Sequence, residues 1–135
     1  MSSARVPKYT LNIGASYGAG YLAMCGRPFK PTAMFAWPNG RSAIMGPDQA
    51  AMVLALVRET NLKAEGKTWT AEEQEAFKAP TRKIYEDFQG AHNFASHGWI
   101  DGVIDPLETR ATLALLLELA ARVPPRETNF GVFRF

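Results

Sequence analysis

The sequence predicts an α/β fold. Short β-rich runs that end at glycine or proline turns alternate with helix-length segments, and proline, acidic or capping residues mark the helix starts. The strands are also few and short for the helices they must cover, which implies that part of the sheet is missing from this chain.

Tyr9-Thr10-Leu11-Asn12-Ile13 is β-rich and precedes Gly14, so it reads as a short strand closed by a glycine turn. Gly18-Ala19-Gly20 then leads into Tyr21-Leu22-Ala23-Met24-Cys25, an apolar run suited to a short buried helix that Gly26 closes. Ala33 to Trp37 and Ser42 to Met45 bracket Pro38-Asn39-Gly40 and read as two strands around a turn. Gly46-Pro47 opens the next helix, with proline at its first position and Asp48 in its first turn. Gln49 to Val57 are nearly all apolar or small, which predicts a helix buried on most sides and running to about Glu65, with Gly66 as the stop.

Thr70 and Glu73 form a capping-box pattern ahead of a polar, surface-type helix that Pro80 restarts or kinks and Gly90 ends. Trp99 to Ile104 reads as a short extended segment with a turn inside it. Asp105 follows as an N-cap, Pro106 as the first helical residue and Glu108 as the third, ahead of the apolar run Leu113 to Leu119. Pro124-Pro125 stops that helix, and the aromatic tail from Phe130 to Phe135 is suited to docking onto another surface.

At 135 residues, with 47% hydrophobic and 21% charged, the chain is at most one domain with a real core. Its charge of +2 comes from dispersed Lys and Arg rather than a basic stripe, so no nucleic-acid partner is expected. The single Cys25 excludes an intramolecular disulfide and reads as a small buried apolar residue. Asn12, Ser16 and the glycines interrupt any apolar run in residues 1 to 25, so neither a signal peptide nor a membrane helix is expected there. No repeat is visible in the sequence.

Several motifs crowd the first glycine turn. Gly14-Ala15-Ser16-Tyr17-Gly18 is a literal G-x-S-x-G, but a hydrolase elbow also needs an oxyanion donor from an earlier strand-helix loop, and only thirteen residues precede Gly14. Gly18 to Ala23 fits G-x-G-x-x-A, yet no carboxylate stands before Asp48 to hold a ribose. Gly66-Lys67-Thr68 has neither the strand nor the earlier glycine of a phosphate loop. His92 and His97 are five apart rather than four, which does not align them as metal ligands, and they read as structural residues; no metal is expected.

A strand, a glycine turn and a helix start can instead present two consecutive backbone N–H groups to one point, which is an oxyanion hole. Here Ile13 to Gly20, Met24-Cys25-Gly26-Arg27, Trp37-Pro38-Asn39, Met45-Gly46, Gln49-Ala50-Ala51, Asp101 to Pro106 with Thr109-Arg110, and Phe130 to Arg134 resemble the carboxyltransferase (β) subunits of biotin-dependent acyl-CoA carboxylases. Ser16-Tyr17-Gly18-Ala19-Gly20 and Met24 to Arg27 are most similar to the methylcrotonoyl-CoA and geranoyl-CoA branch. The resemblance covers essentially the whole chain. It implies a partial crotonase-like (ClpP/crotonase) fold, with residues 1–135 as the later part of the carboxyltransferase C-terminal domain and the acyl-CoA-binding N-terminal half absent.

The implied chemistry uses biotin, as carboxybiotin on a lysine of a separate carrier domain, with an acyl-CoA as substrate. Carboxybiotin releases CO2, the biotin takes the α-proton of the thioester, and the enolate attacks CO2. By the same resemblance, the backbone N–H groups of Ala19 and Gly20 stabilise the anionic ureido oxygen, and Tyr17, Gly18, Ala19 and Gly20 form the carboxybiotin side of the site. Implied partners are other carboxyltransferase chains or an N-terminal half, and the biotin carboxylase and carrier subunit; the implied compartment is the cytoplasm, or the mitochondrial matrix in a eukaryote. Position 15 is alanine and position 21 tyrosine where this branch more usually has glycine and asparagine, and Asn39 is followed by Gly40 rather than alanine. Tyr21 thus places a bulky ring beside the expected hole. Two other readings stand beside this one: an inactive truncated fragment or interaction module with exposed strand edges and apolar surface, and a stand-alone crotonase-like enzyme acting on a small thioester.

Overall fold

The computed structural model describes Met1, residues 4–124 and Glu127 of the chain. The aromatic ending at 130–135 lies outside the described residues.

One backbone unit is used twice. Strand β1 (Tyr9–Asn12), strand β2 (Ala15–Tyr17) and helix α1 (Gly18–Ala23) are followed by β3 (Ala33–Ala36), β4 (Arg41–Ala43) and α2 (Pro47–Ala64). In each unit the first strand joins one sheet and the second strand joins another. β1, β3 and a late strand, β5 (Gly102–Val103), form a parallel three-stranded sheet in the order β1-β3-β5, and β2 pairs in parallel with β4. Strands do form on either side of Pro38-Asn39-Gly40, the second one ending at Ala43 rather than Met45, but they separate into different sheets instead of pairing with each other. The repeat is invisible in the sequence because it resides in backbone geometry: a corner after each first strand and a glycine at or before each helix start.

A buried asparagine fixes the first corner. The Asn12 amide nitrogen donates to the Arg41 carbonyl at 3.1 Å and to Ser42 Oγ at 2.9 Å, while Asn12 Oδ1 accepts from the Gly14 N–H at 3.3 Å. The Trp37 N–H donates to the Asn12 carbonyl and the Arg41 N–H to the Gly14 carbonyl, each at 2.9 Å. At the second corner Gly40 is required by crowding, because a Cβ there would lie 2.9 Å from the Trp37 carbonyl oxygen. Ser42 and Gln89 are buried beside Asn12, and the Ser42 N–H donates to the Gln89 carbonyl.

The core is small. Met34, Ala36, Ala91 and Ile100 are buried together, with Tyr21, Phe94, Ala95 and Val103 packed against them.

The Thr70–Glu73 capping box forms as expected: Thr70 Oγ1 accepts from the Glu73 N–H at 3.2 Å, and the Glu73 carboxylate accepts from the Thr70 N–H at 2.7 Å. Helix α3 (Ala71–Phe88) continues through Pro80 as one element and packs along α2. Arg82 bridges the pair, reaching Asp48 at 2.7 Å and Glu75 at 2.6 Å, and holds the Glu75 carboxyl below its ordinary range. Helix α4 (Ala91–Ser96) is an element the sequence pattern did not reveal, since six residues span too few turns to show a periodicity. Asp105 caps a 3-10 turn over Pro106–Glu108, accepting from the Leu107 N–H at 2.8 Å, and α5 (Thr109–Ala121) follows. The Tyr9 hydroxyl and Trp37 Nε1 fasten α5 to the sheet through the Leu116 carbonyl and Thr109 Oγ1, each at 2.9 Å.

Two expectations about burial are overturned. Helix α1 begins earlier than expected, at Gly18, and has no buried residue; Met24 just beyond it is 74% exposed. Helix α2 buries only Ala50, Ala51 and Ala55, while Met52, Val53, Leu54, Leu56 and Val57 are exposed. Sheets of two and three short strands are too narrow to cover these helices on more than one side, and α2 turns its small side chains inward because small residues allow the closest approach.

Replacing Asn12 with Ala strands the partners of its amide inside the corner, so it should lower stability by about 2 kcal/mol in urea unfolding. An unchanged midpoint would show that the corner holds without that side chain.

Candidate functional site

The stretch between β2 and α1 is shaped by what each residue cannot do. Gly18 adopts φ +54, and a Cβ on it would stand 2.9 Å from the Ile44 carbonyl oxygen, so only glycine fits without strain. Tyr17, extended at φ −123 and ψ 147, occupies the N-cap position but has no short side-chain oxygen to turn back onto the helix. Its hydroxyl instead donates to Gln89 Oε1 and ties the helix start to the end of α3.

The first-turn amides of α1 are therefore left uncapped. As first-turn groups the N–H groups of Ala19 and Gly20 have no acceptor within the helix, no side chain caps them, and both residues are exposed. Nothing lies within 4 Å of where a Gly20 Cβ would be. There is no acidic side chain in this turn to repel an anion, and the helix dipole favours negative charge here.

A well-formed concavity lies elsewhere. It is a groove of about 850 Å³ between the N-terminal segment and α5, lined by Lys8, Tyr9, Leu116, Leu119 and Val123 among others. Ala19 and Gly20 do not line it and are exposed. Donors of this kind reach their full strength only where water is excluded, so a second surface must close over them before they can stabilise a developing charge strongly.

Tyr21 does not block the amides. Its ring turns inward over Gly26, where a Cβ would come within 2.5 Å of it, and its hydroxyl accepts from the Arg27 N–H at 2.9 Å. The helix closes in a Schellman motif: the Gly26 N–H reaches the Tyr21 carbonyl at 2.9 Å and the Cys25 N–H reaches the Leu22 carbonyl at 3.0 Å. The left-handed residue of that motif is Cys25, at φ +66, rather than Gly26. Gly26 is glycine for a different reason: it makes room for the tyrosine. The sequence held one cue to this arrangement, an aromatic residue five positions before a glycine, but the cue is too generic to have been read. Cys25 itself is buried, as expected.

The competing motifs do not assemble. Among the described residues no hydrogen bond joins Ser16 to a histidine; His92 and His97 are exposed, and the His97 ring stacks on Trp99 at 4.7 Å. No group of three or more metal-ligating side chains forms among the described residues. No helix among them is long and apolar enough to cross a membrane.

The mixed α/β fold is the crotonase-like fold of the carboxyltransferase beta subunits among its structural neighbours. The chain belongs to the carboxyl transferase domain family, which matches residues 1–130. It is 48% identical over 134 residues to the biotin-dependent 3-methylcrotonyl-coenzyme A carboxylase beta1 subunit of Mycobacterium tuberculosis, covering 99% of this chain and 25% of that one. It is equally 48% identical to the mitochondrial methylcrotonoyl-CoA carboxylase beta chain of Arabidopsis thaliana, covering 99% of this chain and 23% of that one. Among solved structures, the beta subunit of Pseudomonas aeruginosa geranyl-CoA carboxylase superposes with a TM-score of 0.79 at 39% identity, over 99% of this chain and 25% of that one. The chain thus spans about a quarter of the length of these relatives.

The two glycines of the turn should respond oppositely to alanine. Gly18→Ala forces a left-handed alanine against a carbonyl and should cost about 2 kcal/mol in denaturant unfolding. Gly20→Ala meets open space and should be neutral or stabilising by up to about 1 kcal/mol. Equal effects would contradict the geometry assigned to the turn.

Proposed function

We propose that this chain supplies the biotin side of an acyl-CoA carboxyltransferase, with the N–H groups of Ala19 and Gly20 as the oxyanion hole for the ureido oxygen. The observation that carries this reading is the uncapped, exposed pair of first-turn amides on a glycine corner, in a chain that matches the carboxyl transferase domain along 1–130. On this reading residues 1–135 are the later part of the carboxyltransferase C-terminal domain. The donors present fit the group: the space where a Gly20 Cβ would stand is clear, and no acidic side chain lies in the first turn to compete for the amides.

Biotin, carried as carboxybiotin on a separate domain, supplies the CO2 and the oxygen that becomes negative when it is released. What this chain does is hold that charge. Two N–H groups fixed at a helix start need no reorganisation as the charge develops, and one such donor is worth about 3 kcal/mol in a dry site. Gly18 sets the direction of both amides, and the Tyr17 side chain anchors the corner rather than capping it.

The acyl-CoA half lies outside these residues, and the surface that supplies it must also exclude water from the corner. The exposed apolar side chains of α2 and α5 support such a surface, because Met52, Leu56, Leu115 and Leu117 are each more than half exposed. Other carboxyltransferase chains and a biotin carboxylase with its carrier are the partners this chemistry needs. The cytoplasm of a bacterium, or the mitochondrial matrix of a eukaryote, is the compartment. The same exposed faces favour a second reading, an inactive interaction module, and one assay separates the two.

Combining the chain with polypeptides that supply the acyl-CoA half should give carboxybiotin-dependent labelling of an acyl-CoA. Ala19→Pro, which removes one N–H at a first-turn position where proline is tolerated, should lower that rate by about 100-fold or more with far-UV circular dichroism unchanged. Labelling in no combination would favour the interaction module, and full activity in Ala19→Pro would remove the amide from the mechanism.

A further inference from the structure

We infer that Tyr21 is the positioning residue of the amide pair, a latch that sets the orientation of α1 and with it the direction of the Ala19 and Gly20 N–H groups. This rests on the reading of those amides given above.

A six-residue helix does not hold itself together in water, so α1 depends on contacts with the rest of the fold. Its own side chains offer almost none: Ala19, Leu22 and Ala23 are exposed, the glycines have no side chain, and only Tyr21 is partly buried. That ring packs on the core formed by Met34, Ala36, Ala91 and Ile100. It occupies the space that glycine leaves at position 26, and its hydroxyl takes the Arg27 N–H at 2.9 Å and lies 3.9 Å from Met34 Sδ.

The seat of the ring is itself pinned. The Arg27 guanidinium reaches the Asp101 carboxylate at 3.2 Å, and Asp101 Oδ2 accepts from the Met34 N–H at 2.7 Å. The Arg27–Asp101 pair is substantially exposed and therefore weak alone, but it joins the loop under Tyr21 to the three-stranded sheet. Tyr17 fixes where α1 begins, through Gln89, while Tyr21 fixes how the helix is rotated about its axis. Because successive residues lie about 100° apart around a helix, a modest rotation of α1 would turn both amides away from a common point.

Hydrogen exchange on the full chain, followed by NMR in Tyr21→Ala, Tyr21→Phe and Gly26→Ala, tests the latch. The Met24, Cys25 and Gly26 amides, which close α1, should exchange more than about tenfold faster in Tyr21→Ala and in Gly26→Ala, where the new methyl evicts the ring. The Trp37 and Ile104 amides, bonded to the sheet strands, should keep their wild-type rates, and Tyr21→Phe should fall between wild type and Tyr21→Ala. In the reconstituted transfer reaction Tyr21→Ala and Gly26→Ala should lower kcat and leave KM for the acyl-CoA unchanged. Wild-type exchange at α1 in both variants would overturn the proposal. So would an equal loss of protection at α1 and at the sheet in both, since the ring would then be an ordinary core residue. Failure of all transfer activity, in wild type as in variants, would count against the carboxyltransferase reading, while the exchange rates would still decide whether Tyr21 is the latch.

Discussion

The amide of Asn12 is where the two sheets are tied together. Each β-β-α unit must send its first strand into one sheet and its second into another, and the chain makes that change of direction within two or four residues. The backbone groups at such a corner cannot all be met by either ladder. Asn12 supplies two donors and an acceptor from one buried side chain and so satisfies Arg41, Ser42 and Gly14 together. Through Ser42 and Gln89 the same cluster extends to Tyr17, so the place where α1 starts is set by a hydrogen-bonded network rather than by helix propensity.

What this network delivers is a helix whose beginning has nothing to cap it. Ordinary helices place Ser, Thr, Asp or Asn there to take up free amides. This one has a tyrosine whose oxygen is occupied elsewhere, preceded by extended strand and followed by a left-handed glycine. The cost of leaving those amides to solvent is small, and the arrangement keeps two donors in fixed directions. The surrounding helices follow the same pattern of incomplete cover: α2 turns alanines inward and larger apolar side chains outward, as a helix would in a chain that spans a quarter of the length of its relatives.

Much of this was legible in the sequence. Gly46-Pro47 and Gly66 bounded α2, Thr70 and Glu73 announced the capping box, and Asp105-Pro106 marked the last helix start, because each of these signals acts within one turn of backbone. The glycine turn at Gly18 was legible as a corner for the same reason. Burial was not: the apolar run at 49–57 looks the same whether the chain itself covers it or leaves it open, and the sequence carries no record of the surface opposite. The sheet partners were hidden too, since strands β3 and β4 are local neighbours that pair with distant strands. Tyr21 read as an obstruction beside the hole, because the space that receives its ring is created by Gly26, five residues away, and only the backbone path brings them together.

A titration of biotin into the ¹⁵N-labelled chain, saturated with the polypeptide that supplies the acyl-CoA half, probes the two amides directly. Hydrogen bonding to the ureido oxygen should move the Ala19 and Gly20 N–H proton resonances downfield, together and saturably, with the Met24 to Gly26 resonances little changed. Binding that shifts other amides and leaves these two in place would contradict the role given to the start of α1.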